Sequence, residues 1–147
     1  MAGMKESLGG KMTQTQTMEL ADYYQQIQTM GNLRTPAHAQ RWSAAVLRTL
    51  GLNLDGKTKK KLAKALPSEL ADDLTRAFWL LHFRDFSLSS HEFQNQVARR
   101  SGNTDANFAR VPILAVFHQI KQLVDSDVSD QVANSLSPQV AELWRQA

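Results

Sequence analysis

A lysine run, KTKKKLAK, holds the most distinctive chemistry in this sequence. On an α-helix, side chains three and four residues apart share one face. Four lysines follow that spacing: Lys57, Lys60, Lys61 and Lys64. Such a face can contact phosphate groups and would give sequence-independent, salt-sensitive binding. The alternative is that the lysines only form a solvated helix face.

The lysine run has no counterpart in the second half of the chain. The positions 70 residues further along are acidic, amide or hydroxyl residues: Asp127, Ser129, Asp130, Gln131 and Asn134. This difference counts against a nucleic-acid-binding repeat. No helix with side chains suited to reading base edges is evident either.

Residues that could catalyse a reaction or hold a metal do not form a recognisable pattern. The sequence has no cysteine, and no two histidines lie four residues apart, which is the spacing that places two metal ligands on one helix face. The histidines are His38, His82, His91 and His118. We therefore predict no catalytic residue, no metal and no cofactor. An enzyme whose site forms only between folded helices is the remaining alternative.

The acidic residues that lie close together in the sequence do not form a pair suited to acid–base catalysis. Asp72 and Asp73 are neighbours, so their side chains would point in different directions on a helix. Asp125, Asp127 and Asp130 cluster at a predicted helix start, where capping already favours acids. We predict no acid–base site from either group.

An apolar segment, AFWLLHF, joins the two halves of the chain. A helix that is apolar on every side is either buried or presents a surface to a partner. Burial between the halves is one interpretation of this segment. The other is a protein interface through Trp79, Leu80 and Phe83.

The elements that must position these residues recur at a spacing of 70 residues. Tyr23 corresponds to Phe93, and Val46 corresponds to Val116. The matching residues are mostly apolar or small, which is typical of a repeated core. The sequence therefore predicts a single domain over residues 17–147, with repeat one at 17–83 and repeat two at 84–147.

Apolar residues recur at helical intervals, and strand patterns are nearly absent. We predict an all-α helical bundle of two repeats, with about four helices each and pseudo-two-fold symmetry. Thr35, Asp55, Ser89 and Asp125 are suited to cap helices, and Ser89 forms a predicted capping box with Glu92. Pro112 falls inside a predicted helix, so that helix either starts near Arg110 or is kinked.

Composition places the chain among ordinary single domains. It has 147 residues, a net charge of +3 and no apolar run long enough to span a bilayer. No signal-peptide pattern is present, and we expect a cytoplasmic protein. Residues 1–16 are polar and contain paired glycines, so we predict a flexible tail there.

Several core and turn positions resemble a known family. They are an aromatic residue followed by Val or Ile, the Ala-Val-Phe or Ala-Val-Leu centre, and the segment Leu-Pro-Ser-Glu-Leu. Over residues 18–147 the sequence resembles the uncharacterised bacterial family known as the domain of unknown function 2267. The resemblance implies an all-helical repeated unit and no stated activity.

Two hypotheses about function follow. The first is a non-enzymatic interaction module that forms a homodimer or docks a protein partner through its surplus apolar surface. The second is weak, non-specific binding of nucleic acid or an anionic surface through the lysine face. The sequence identifies no small-molecule substrate.

Overall fold

The structure, a computed structural model, describes residues 20–76, 86–103 and 105–147. These residues form helices and no β-strand, which confirms the all-α prediction. Helix α1 covers 20–30, beginning with the first described residue. The other helices are α2 (Pro36–Leu52), α3 (Gly56–Ala65), α4 (Ser68–Thr75), α5 (Ser90–Ser101), α6 (Ala106–Leu123), α7 (Ser126–Ser135) and α8 (Pro138–Gln146). The tail predicted for residues 1–16 lies outside the described residues.

The predicted capping residues begin their helices as expected. Each side chain accepts a hydrogen bond from a backbone N–H of the first turn, at 2.7 to 3.0 Å. The four residues are Thr35, Asp55, Ser89 and Asp125. Because a helix leaves its first N–H groups without internal acceptors, these bonds fix where each helix starts.

The capping box predicted for α5 forms only in part. Ser89 accepts a bond from the Glu92 N–H, but the Glu92 carboxylate pairs with Arg99 at 3.3 Å. Arg99 lies seven residues along the same helix, so its guanidinium reaches back over two turns. The reciprocal half of the predicted box is therefore replaced by an ion pair.

Pro112 lies in the interior of α6. The helix begins at Ala106, and Asp105 caps it by accepting a bond from the Asn107 N–H at 2.9 Å. The predicted alternative of a start near Arg110 is therefore wrong. An interior proline has no N–H to donate, which costs about 3 kcal/mol relative to alanine.

Helices of the two halves begin at matching positions. Pro36 and Ala106 open α2 and α6, and Gly56 and Ser126 open α3 and α7. Each pair lies 70 residues apart in the sequence. The repeat and its pseudo-two-fold symmetry stay predictions.

The apolar side chains of all the described helices meet in one core. Helix α2 contacts α4, α5 and α6, and α3 contacts α7 across the two halves. The Phe117 ring lies 5.8 Å from that of Phe93 and 5.1 Å from that of Trp144. This core holds α3 and α7 side by side, which positions the lysine face.

Candidate functional site

Helix α3 presents the lysine face defined by Lys57, Lys60, Lys61 and Lys64. All four side chains are exposed, whereas Leu62 is fully buried beneath them. Among the described residues, none of the four ammonium groups forms a hydrogen bond or an ion pair. The four lysine side chains therefore lie on the exposed side of α3, opposite Leu62.

The lysine face lowers the stability of the fold. Like charges four residues apart repel, and this spacing occurs between Lys57 and Lys61 and between Lys60 and Lys64. Lys57 also lies in the first turn of α3, where the helix dipole disfavours a cation, and that turn contains no acidic residue. A bound anion would relieve both kinds of repulsion.

A first cavity of about 260 Å³ lies between α3 and α7. Its lining combines the two lysines nearest α7 with uncharged groups of α7, and the residues are Asp55, Lys57, Thr58, Lys61, Gln131, Asn134 and Ser135. Asp55 is engaged in capping, since its Oδ1 accepts the Thr58 N–H at 2.7 Å. The amide side chains can donate to an anion that the lysines attract.

A second cavity of about 410 Å³ lies among α6, α7 and α8. It is lined by Lys121, Ser129, Asp130, Ala133, Asn134, Trp144 and Arg145. Asn134 lines both cavities, so the two adjoin at one side chain of α7. We call the pair of cavities the α7 groove.

The cations of the second cavity differ in their surroundings. Lys121 Nζ donates to the Trp144 carbonyl oxygen at 2.9 Å and lies 6.0 Å from the Trp144 ring centroid. It thus caps the C-terminal end of α8, where carbonyl groups lack internal donors. Arg145 is exposed, and its guanidinium forms no hydrogen bond or ion pair with the other described residues.

A third cavity, of about 400 Å³, lies between α2 and α4. Its charged residues are evenly mixed: Arg41, Arg48, Glu69, Asp72, Asp73 and Arg76. Because the two signs balance, this cavity presents no uniform charge to a polyanion. Nothing in the local sequence predicts it, since its two walls come from different helices.

Asp73 is the buried acid of this third cavity, whereas Asp72 is exposed. Burial raises the pKa of the Asp73 carboxyl, and the nearby charges of Arg48 and Arg76 oppose that rise. The Nε of Arg48, which lines this cavity, and the hydroxyl of Tyr24 are buried without a hydrogen-bond partner among the described groups. The prediction that adjacent aspartates diverge is confirmed, and only one of them enters the fold's interior.

Two of the described histidines, His38 and His118, contact other groups of the fold. His38 Nε2 accepts a hydrogen bond from Trp42 Nε1 at 3.1 Å, and His118 Nδ1 lies 3.4 Å from the Ala147 carbonyl oxygen. His91 is exposed, and His82 lies outside the described residues. Within the described ranges, no group of three His, Asp or Glu side chains could hold a metal ion.

Two further predictions concern surfaces. Trp79, Leu80 and Phe83, predicted as a protein interface, lie outside the described residues. Among the helices that the structure does describe, none is both long and apolar enough to span a membrane.

Comparison with known proteins identifies a family. Residues 21–143 match the family described as "Uncharacterized conserved protein (DUF2267)". No curated protein matches the sequence significantly. Because the match covers most of the chain, this chain belongs to the DUF2267 family.

Proposed function

We propose that this chain is a non-enzymatic binding module whose lysine face binds a phosphate-bearing polyanion. One observation carries the proposal: four exposed ammonium groups share one face of α3 and have no acidic partner among the described residues. Lysine ammonium groups are compact charges that contact phosphate without demanding a fixed geometry.

Local charge supports this function better than total charge does. The net charge of the chain is only +3, so long-range attraction to a polyanion is weak. The lysine face concentrates four positive charges within ten residues of helix. Binding should accordingly be local, of modest affinity and strongly salt-dependent.

The test compares the wild-type chain with a variant that lacks the lysine face. The variant carries Lys57→Gln, Lys60→Gln, Lys61→Gln and Lys64→Gln. Two probes carry phosphate: a labelled mixed-sequence DNA single strand of about 20 nucleotides, and vesicles containing phosphatidylserine. We expect the variant to lose at least about tenfold in affinity at low salt for whichever probe the wild type binds.

A matched control removes four exposed arginines elsewhere: Arg34→Gln, Arg41→Gln, Arg99→Gln and Arg110→Gln. Both variants change the net charge equally, so a specific lysine face predicts a large loss only in the first. Equal losses of affinity in the two variants would show that binding depends on the net charge and not on the lysine face. Wild-type protein that binds neither probe would rule the function out.

Protein docking through Trp79, Leu80 and Phe83 stays a hypothesis from the sequence. It is compatible with polyanion binding, because the two surfaces use different residues.

A further inference from the structure

The positive surface does not end at α3. Asn134 borders both cavities of the α7 groove, so the two cavities lie on either side of α7 and adjoin at this exposed side chain. Lys57 and Lys61 line its first end, and Lys121 and Arg145 line its second. A ligand that lies along the groove would therefore meet cations at both ends.

The floor between these cations is polar and largely uncharged. Gln131, Asn134 and Ser129 supply amide and hydroxyl donors, which are groups that commonly contact phosphate oxygens. Asp130 is the one acid of the second cavity, and it is exposed. Positive groups at the ends and neutral donors between them suit a ligand that carries several phosphates in a row.

The length of the groove favours a chain over a single small anion. It crosses from α3 over α7 to α8, and each of these helices contacts the next. Packed helix axes lie about 8–10 Å apart, so the path measures roughly 16–20 Å. A strand with stacked bases rises about 3.4 Å per nucleotide, so that distance corresponds to about five to six nucleotides of a stacked strand, and to fewer of an extended one.

The lining also distinguishes a nucleic-acid chain from a lipid surface. The apolar side chains of the groove, Ala133 and Trp144, are almost fully buried. A membrane-binding surface needs exposed apolar groups to enter the bilayer, and the groove provides none. A flat bilayer would also reach Lys60 and Lys64, which do not line the groove, as readily as the groove lysines.

We infer that the α7 groove holds the phosphate backbone of a single-stranded nucleic acid, from Lys57 and Lys61 across Asn134 to Arg145. This inference rests on the proposed function and names its ligand class. With Trp144 buried, the groove offers no aromatic surface for base stacking, so recognition is through the backbone and independent of base sequence.

The experiment uses matched pairs on the intact chain, with the single-stranded DNA probe. Lys57→Gln with Lys61→Gln removes two groove lysines, and Lys60→Gln with Lys64→Gln removes two charges from the same helix outside it. We expect the groove pair to lose about tenfold or more in affinity and the outer pair about threefold or less. Circular dichroism and thermal unfolding confirm that each variant is folded.

A second comparison probes the far end of the groove. Arg145→Gln should lower affinity about three- to tenfold and reduce the salt slope by about 0.7 for the lost phosphate contact, whereas Arg99→Gln should leave both unchanged. Equal losses from both lysine pairs, together with an unchanged Arg145→Gln variant, would overturn the groove path.

The outcomes separate the two proposals. Wild-type protein that binds phosphatidylserine vesicles but not the DNA strand keeps the proposed function and refutes the groove ligand. Wild-type protein that binds neither probe refutes both. If the wild-type protein binds the DNA strand and only substitution of Lys57, Lys61 or Arg145 lowers the affinity, both proposals are supported.

Discussion

The backbone of α2 at Gly51 lies directly against the carbonyl oxygen of Leu74 in α4. A Cβ atom at position 51 would overlap with that oxygen. Gly51 is buried inside a helix, where glycine is about 1 kcal/mol less favourable than alanine. The close approach of α2 and α4 therefore requires glycine despite its poor helix propensity.

Replacement of Gly51 should destabilise the fold. We expect Gly51→Ala to lower the free energy of unfolding by about 1–3 kcal/mol, because the added methyl group must separate α2 from α4. Gly56→Ala is the matched control, since no neighbouring atom lies within 4 Å of its Cβ position. That variant should gain about 0.4–1 kcal/mol. Urea denaturation measures both, and equal stabilities would contradict the close contact.

Asp73 should make stability depend on pH. Burial raises its pKa above the ordinary value of 3.8, so the folded chain binds this proton more tightly than the unfolded chain does. The contribution of Asp73 to stability is then highest below pH 3.8 and is lost as the pH rises through the pKa of the folded state.

Asp73→Asn removes that ionisation. The variant should gain stability relative to wild type as the pH rises from 3 towards 7 in urea-denaturation measurements. Asp72→Asn, at the exposed neighbouring position, provides the control. A difference between wild type and Asp73→Asn that stays constant with pH would show that burial does not disfavour the Asp73 carboxylate.

Asp130 should weaken anion binding. Its carboxylate lines the second cavity of the α7 groove and repels phosphate. Two like charges about 4 Å apart in water repel each other by about 1 kcal/mol. Asp130→Asn removes such a repulsion, so it should tighten binding of a DNA single strand by up to about fivefold at low salt. Asp127→Asn removes an exposed acid of the same helix that does not line the cavity. Weaker binding by Asp130→Asn would argue against a ligand in the second cavity.

Self-association is a separate prediction from the apolar segment at residues 77–83. If Trp79 and Phe83 form an interface, the wild-type chain is a dimer or larger in sedimentation measurements. Trp79→Ser with Phe83→Ser should then yield a monomer, because two large apolar side chains no longer cover each other. A wild-type chain that is monomeric and captures no protein partner would contradict this hypothesis.

Local interactions explain which features the sequence could predict. A cap such as Asp55 depends on residues three positions away, and the exposure of Lys61 depends on helical spacing alone. The Asp55 cap is confirmed for that reason, and Lys61 lies exposed on α3. The prediction that the Glu92 side chain completes the capping box is wrong, because its carboxylate pairs with Arg99, two turns away.

The α7 groove depends on contacts between distant segments, so the helix patterns did not predict it. The Asp55 N–H donates to Ser135 Oγ at 2.9 Å, which joins the start of α3 to the end of α7. One signal was present in the sequence. The residues 70 positions after Lys61 and Lys64 are Gln131 and Asn134, which by their sequence positions count against a nucleic-acid-binding repeat. In the folded chain they line the groove together with Lys61.

The salt dependence of binding tests the central claim most directly. The affinity of wild-type protein for the labelled DNA strand should fall linearly on logarithmic axes between about 50 and 200 mM salt, because each phosphate contact releases a counterion. The variant without the four lysines of the lysine face should show a slope smaller by up to about 3. Identical slopes for the two proteins would show that these lysines do not contact phosphate.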